Sequence, residues 1–111
     1  MDKYVEKLIS LSESIGNVQA ISFAGYDGIS IYEHKIISSA DVEILCAKLA
    51  TVIKNIQDLE SNSKEIIIIS SKNIIIIKLL IDGFIFALMS PDGNIGRAKM
   101  GLNKLEGNFC G

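Results

Sequence analysis

The sequence predicts an α+β domain, with five antiparallel strands, helices on both faces of the sheet and the order α-β-β-α-β-β-β-α. Three observations carry that prediction. Between Glu65 and Met89, three apolar runs are joined only by Ser71-Lys72 and Asp82-Gly83, connections too short for anything but antiparallel hairpins. The quartets Ile66-Ile67-Ile68-Ile69 and Ile74-Ile75-Ile76-Ile77 do not alternate with polar residues, so both faces of these strands should be covered. A stripe of Val42, Leu45, Cys46, Leu49, Val52, Ile53 and Ile56 at three-and-four spacing supplies a long helix to do part of the covering. At 111 residues the chain forms one domain, residues 1–111, large enough to bury a core without staples.

Each element has its own local signature. Tyr4, Leu8, Leu11 and Ile15 recur at helical spacing, Asp2 can cap the start, and Gly16-Asn17 supplies left-handed residues at the end. Val18 to Ala24 is rich in β-formers, Gly25-Tyr26-Asp27-Gly28 holds a tight turn, and Ile29 to Tyr32 runs back. The second helix opens near Ser38-Ser39-Ala40-Asp41 and stops at the polar cluster Glu60-Ser61-Asn62-Ser63. Strands follow over Glu65 to Ser70, Asn73 to Ile81 and Phe84 to Met89. Pro91 fits the second position of the turn Ser90-Pro91-Asp92-Gly93, and Asn94 can cap a last helix with Ile95, Ala98, Leu102 and Leu105 on one side.

Composition excludes several classes of function. With 49% hydrophobic and 22% charged residues the chain is too apolar for disorder. Its longest apolar stretch, Ile74 to Met89, is broken by Lys78, Asp82 and Gly83, so no membrane association is expected. A net charge of −2 offers no field for gripping phosphate backbones, and nucleic acid is not an expected partner. Met1 to Lys7 shows no basic leader followed by an apolar run, and a cytoplasmic protein is expected. Cys46 falls on the apolar side of the long helix and reads as a small buried hydrophobe. Cys110 reads as an exposed thiol in a short tail.

Groups that could carry chemistry are sparse. His34 stands alone beyond the second strand without partners at ligand spacing and reads as a solvated loop residue. No phosphate-binding Gly-rich loop is present, and no cofactor, metal or catalytic residue is expected. Gly93-Asn94-Ile95-Gly96 has the form of an RNA-clamping GXXG loop but follows a strand in an acidic chain. Asp27, Asp82 and Asp92 each precede a glycine and are read as turn formers.

The informative pattern lies on the surface. On a helical wheel the long helix turns Ala40, Ile44, Ala47, Thr51 and Asn55 away from its core side, an outer stripe without charge and mostly small. A second copy of the same helix could approach closely there. The strand Ile66, Ile67, Ile68, Ile69 and Ser70 enters the meander from a crossover; at a sheet edge, four isoleucines and open main-chain groups would call for a second chain. A two-fold homodimer through Ala40, Ile44, Ala47, Thr51 and Ile66 to Ser70 would cover both surfaces.

The hairpin Gly25 to Ile29, the long second helix, the meander with Asp82-Gly83-Phe84 and above all Gly93-Asn94-Ile95-Gly96-Arg97-Ala98-Lys99-Met100-Gly101-Leu102 resemble the Roadblock family over nearly the whole chain. That family, the roadblock/dynein light-chain-seven type, contains small dimeric regulators of Ras-like GTPases and light chains of dynein. The resemblance implies a profilin-like layering, with one helix on one face of the sheet and two on the other, and dimers joined through the first meander strand and the long helix. The leading helix and short length are more like the prokaryotic branch, which includes a gliding-motility co-regulator of a Ras-like GTPase. The implied function is a non-enzymatic homodimer that binds a small Ras-like GTPase, as an activator or a state-selective partner. The alternative is a scaffold subunit without effect on GTP hydrolysis, and a small-molecule sensor ranks behind both. Glu43, Lys48, Asn55 and Asp58 on the rim of the paired helices, with Ile44 as an apolar anchor, are the candidate GTPase contacts. Arg97 is the chain's single arginine, hence the one possible arginine finger, and it forms with Met100 and Lys104 a rival patch.

Overall fold

In the computed structural model, which describes residues 2–110, the Asp2 carboxylate accepts the Tyr4 amide at 2.8 Å and starts α1 (Lys3–Ile15). Gly16 and Asn17, at φ 76° and 57°, end it in the left-handed region, as their sequence foretells. β1 (Val18–Ala24) and β2 (Ser30–Lys35) form a hairpin whose tip closes through the Gly28 amide on the Gly25 carbonyl, at 2.9 Å. The Asp27 carboxylate fixes the same tip by accepting the Ile29 amide. Gly28, at φ 86°, lies so near the helix above it that a Cβ there would stand 3.1 Å from the Ala47 Cα.

β2 corrects the expected strand Ile29–Tyr32, because main-chain pairing with β1 continues as far as Ala20 opposite Lys35. His34 is therefore not a loop residue: it is a half-buried strand residue opposite Ile21. α2 (Val42–Leu59) begins at Asp41, whose carboxylate accepts the Ile44 amide at 3.2 Å. Ser38 and Ser39 precede the helix and take no part in capping it, and Ala40 too lies ahead of the helix.

β3 (Glu65–Ile69), β4 (Ile74–Leu79) and β5 (Phe84–Met89) make the meander, and the antiparallel sheet has the order β2-β1-β5-β4-β3. Gly83 is obligatory in the second connection, since a Cβ would collide with the Ala24 carbonyl oxygen. Helix α3 (Ile95–Asn103) follows the Ser90–Gly93 turn and is capped by the Asn94 side chain, which accepts the Arg97 amide at 3.0 Å.

The sheet separates two apolar layers. Leu8 and Ile15 of α1 with Ala98 and Leu102 of α3 pack on Ile21, Phe23, Ile74, Ile76, Ile85 and Met89. Val42, Cys46, Leu49 and Ile53 of α2 pack on Ala20, Ile66, Ile75, Ile77, Phe84, Phe86 and Leu88 from the other side. All four isoleucines of β4 are buried between these layers, as expected for a doubly covered strand. β3 departs from that expectation: Ile66 and Ile68 pack beneath α2, but Ile67 and Ile69 on the opposite face are exposed because the apolar α1/α3 layer stops short of them.

The segment after α3 is tied down. Phe109 is fully buried, with its ring centroid 4.8 Å from that of Phe23 and 5.6 Å from that of Tyr4. Burial of a side chain that size contributes roughly 1.5–3 kcal/mol. The Asp82 carboxylate accepts the amides of Phe109 and Cys110, while Lys7 and Tyr4 donate to the carbonyls of the same two residues. Asp82 is thus more than a turn former; it clamps the tail.

Candidate interaction surface

β3 is an edge strand: β4 is its neighbour on one side, and the other side is open. Its outward row holds Ile67 and Ile69, exposed to 36% and 67%, where a lone sheet edge would be expected to carry charge. Only Glu65, at the start of the strand, is ionic, and one of its oxygens lies 3.6 Å from the Lys99 ammonium. Ser70 falls beyond the strand and shapes the β3–β4 connection, its hydroxyl accepting the amides of Lys72 and Asn73.

α2 turns Val42, Cys46, Leu49 and Ile53 to the core and leaves Ile44, Ala47, Thr51 and Asn55 exposed, with Ile44 at 54%. The stripe read from the wheel is therefore on the outside of the molecule, except that Ala40 is half-buried ahead of the helix. Glu43, Lys48 and Asp58 are exposed beside it. Between the N-terminal half of α2 and the sheet, Ile44, Leu45, Lys48, Asn73, Ile75 and Leu88 border a groove of about 250 Å³. The open strand edge and this apolar-floored groove belong to the two elements that the sequence singled out for self-contact.

Below α2 the chemistry is quiet. Burial pushes the Cys46 thiol up, against the opposing effect of the Ser22 hydroxyl 3.7 Å away, so it stays a protonated packing group. Cys110 is exposed, as expected, and its thiol is also raised, by desolvation and then by the Asp82 carboxylate. Among the described residues no group of three or more His, Cys, Asp or Glu is placed to hold a metal ion. No helix among them is long and apolar enough to cross a membrane.

Arg97, Met100 and Lys104 do gather on one side of α3, where they border a groove with Ser14 of α1. They lie on the layer opposite α2, so the two candidate GTPase-facing surfaces are back to back and cannot belong to one contact. Sequence reading missed the Asp82–Phe109 clamp and a cleft along α1, lined from Lys3 to Ser14 and closed by Lys104 and Leu105 beyond α3. An isolated phenylalanine in a polar tail was the one available signal for the clamp. The cleft gives none, because its walls are some ninety residues apart in the chain.

This layering, order and connectivity define the Roadblock fold. The chain superposes on the gliding protein MglB of Thermus thermophilus with a TM-score of 0.82 at 12% identity, covering 92% of this chain and 82% of the other. A Roadblock/LC7 domain from Streptomyces avermitilis gives a TM-score of 0.74 at 6% identity, over 89% and 88% of the two chains. MglC from Myxococcus xanthus is similar at 22% identity, with a TM-score of 0.69 and coverage of 93% and 92%. No protein-family model matches the sequence, and comparison with curated proteins by sequence gives no match. Likeness to Roadblock proteins thus resides in how the elements are arranged, with most side chains different.

Proposed function

We propose that this Roadblock-fold chain is a homodimer that binds a small Ras-like GTPase and prefers one of its nucleotide states, without itself catalysing a reaction. The observation that carries the reading is the open β3 edge, with Ile67 and Ile69 exposed on one face of the sheet and the uncharged outer stripe of α2 on the other. A two-fold axis perpendicular to the sheet would pair β3 with its copy and keep both α2 helices on one face, side by side across the axis. Ile44 then lies near the centre of a joint surface, and Glu43, Lys48, Asn55 and Asp58 form its polar rim. Such a surface regulates by population shift: it needs only to bind one arrangement of the switch loops better than the other.

Ala47→Glu tests the dimer. Two like charges brought together near the axis are expected to cost several kcal/mol. Light scattering at tens of micromolar should show a dimer for the native chain and a folded monomer for the variant; a native monomer would refute the proposal. Turnover of GTP by the cognate GTPase, with and without the dimer, tests the rest. Binding should depend on GTP, weaken on charge reversal at Lys48, and change little in Arg97→Ala. Equal affinity for the GDP and GTP forms would leave a scaffold, and loss of stimulated hydrolysis in Arg97→Ala with binding intact would make Arg97 a catalytic finger.

A further inference from the structure

We propose that the cleft between α1 and the C-terminal end of α3 is a second docking site, suited to an acidic amphipathic helix of a partner protein. The cleft has a volume of about 540 Å³ and is walled by α1 on one side and by Lys104 and Leu105, just beyond α3, on the other; Leu11 and Leu105, both half-buried, are its apolar lining. Lys3, Lys7 and Lys104 line it against a single acid, Glu6. It runs on, through Ser14 and Lys104, into the groove that carries Arg97 and Met100. Four cations therefore face one carboxylate in a chain whose net charge is −2. The lining of these two grooves is positive.

Among the described residues these cations make no ion pair. The Glu65–Lys99 pair involves none of them. Lys3 and Lys7 are instead held over aromatic rings, with the Lys3 ammonium 5.0 Å from the Tyr4 centroid and the Lys7 ammonium 5.2 Å from that of Phe109. Those contacts fix where the positive charge sits without neutralising it. The lining from Lys3 to Ser14 follows α1 for about 16 Å, the length of some three helical turns. A helix laid along it would place apolar side chains on Leu11 and Leu105 and carboxylates on both rims, the usual helix-in-groove arrangement. A flat anionic membrane would answer the lysines but not the apolar pair Leu11 and Leu105 set between them, so the helix is the better match.

The cleft is on the layer opposite α2, so its occupancy is independent of the proposed dimer and of any GTPase seated on α2. Each dimer would present two such clefts. Where α2 responds to a nucleotide state, the α1/α3 face would recruit an acidic partner to the same assembly.

The probe is a fluorescein-labelled helical peptide of about fourteen residues, with leucines at three-and-four spacing and glutamates elsewhere, against a control with every glutamate replaced by lysine. The acidic peptide is expected to bind the full chain, to weaken as salt is raised, and to shift amide resonances of Ser10, Ser14 and Leu105 rather than those of α2. Lys3→Glu and Lys104→Glu, both exposed positions whose fold is checked by circular dichroism, should each weaken it and together lower affinity about tenfold or more. Absence of binding at millimolar peptide, equal binding of the basic control, or shifts confined to α2 would overturn the proposal. Binding to phosphatidylserine vesicles but not to the acidic peptide would overturn it in favour of a lipid surface. The dimer and GTP-turnover measurements are unaffected by any of these outcomes.

Discussion

The chain contains the same four residues twice in neighbouring strands, and the two isoleucine quartets have opposite fates. Ile74 to Ile77 in β4 are buried on both faces, whereas in β3 only Ile66 is buried and Ile67 and Ile69 face outward. Propensity, hydrophobicity and register cannot account for the difference, because Ile67 is paired directly with Ile76 and Ile69 with Ile74. Position does. β4 is an inner strand beneath both helical layers, and β3 lies at the edge, where α2 still covers one face while on the other α3 touches the strand at Glu65, through Lys99, and leaves Ile67 and Ile69 open. An apolar quartet is required of β4 by the monomer's core. In β3, half of it is surplus to that core, and surplus apolar area on a sheet edge points to a partner.

The largest effect that could break this comparison comes from the roof over β4. Phe109 belongs to the same apolar layer as Ile74 and Ile76, and Phe109→Ala should destabilise the chain by about 3–5 kcal/mol in urea unfolding. A loss below 1 kcal/mol would mean that the tail is ornament. Next, Ile76→Ala should cost about 2–5 kcal/mol, while Ile67→Ala, its partner in register, should cost about 1 kcal/mol or less when unfolding is followed at a concentration too low for dimers. Similar losses at the two sites would erase the distinction between core and edge. The same Ile67→Ala change should raise the concentration at which scattering reports dissociation.

The smallest expected effect sharpens the picture of the α2 layer. Burial raises the Cys46 thiol in the folded chain, ahead of the smaller influence of Glu33 and Glu43. A folded value above the unfolded one gives a stabilisation that is complete below the unfolded value and is lost as pH rises through the folded one. Urea midpoints should therefore decline from about pH 8.5 upward, and Cys46→Ala should make the decline shallower. An unchanged alkaline slope in Cys46→Ala would show that the thiol is not sealed beneath the helix.

Much of this was legible in the sequence because it is local. Asp2 and Asn94 announce their helix starts by capping chemistry, Gly16-Asn17 announces a stop, and two-residue connections leave the meander no other pairing. The outer stripe of α2 could be read because a wheel needs only one helix. What escaped depends on contacts far apart in the chain. β2 extends through His34 because β1 offers it partners, and Asp82 turns from its own hairpin to residues 27 and 28 positions away. Ile67 and Ile69 looked the same as Ile75 and Ile77 until the reach of α3 was known. The α1/α3 cleft was hidden for the same reason, since it exists only where α1 meets the distant end of α3.

The two layers also differ in when a growing polypeptide could complete them. Every buried residue of the α2 layer lies between Ala20 and Leu88, so that half can close once β5 has been made. The α1/α3 layer spans Leu8 to Phe109, and its aromatic centre stays open until Phe109 emerges to meet Tyr4, Phe23 and Tyr32. The α2 layer thus draws on a continuous middle stretch of the chain, while α1, made first, packs against the last aromatic residue. A chain that ended after β5 would hold every buried residue of its α2 layer while its opposite face stayed unsealed, so the two halves of one core need not be completed together.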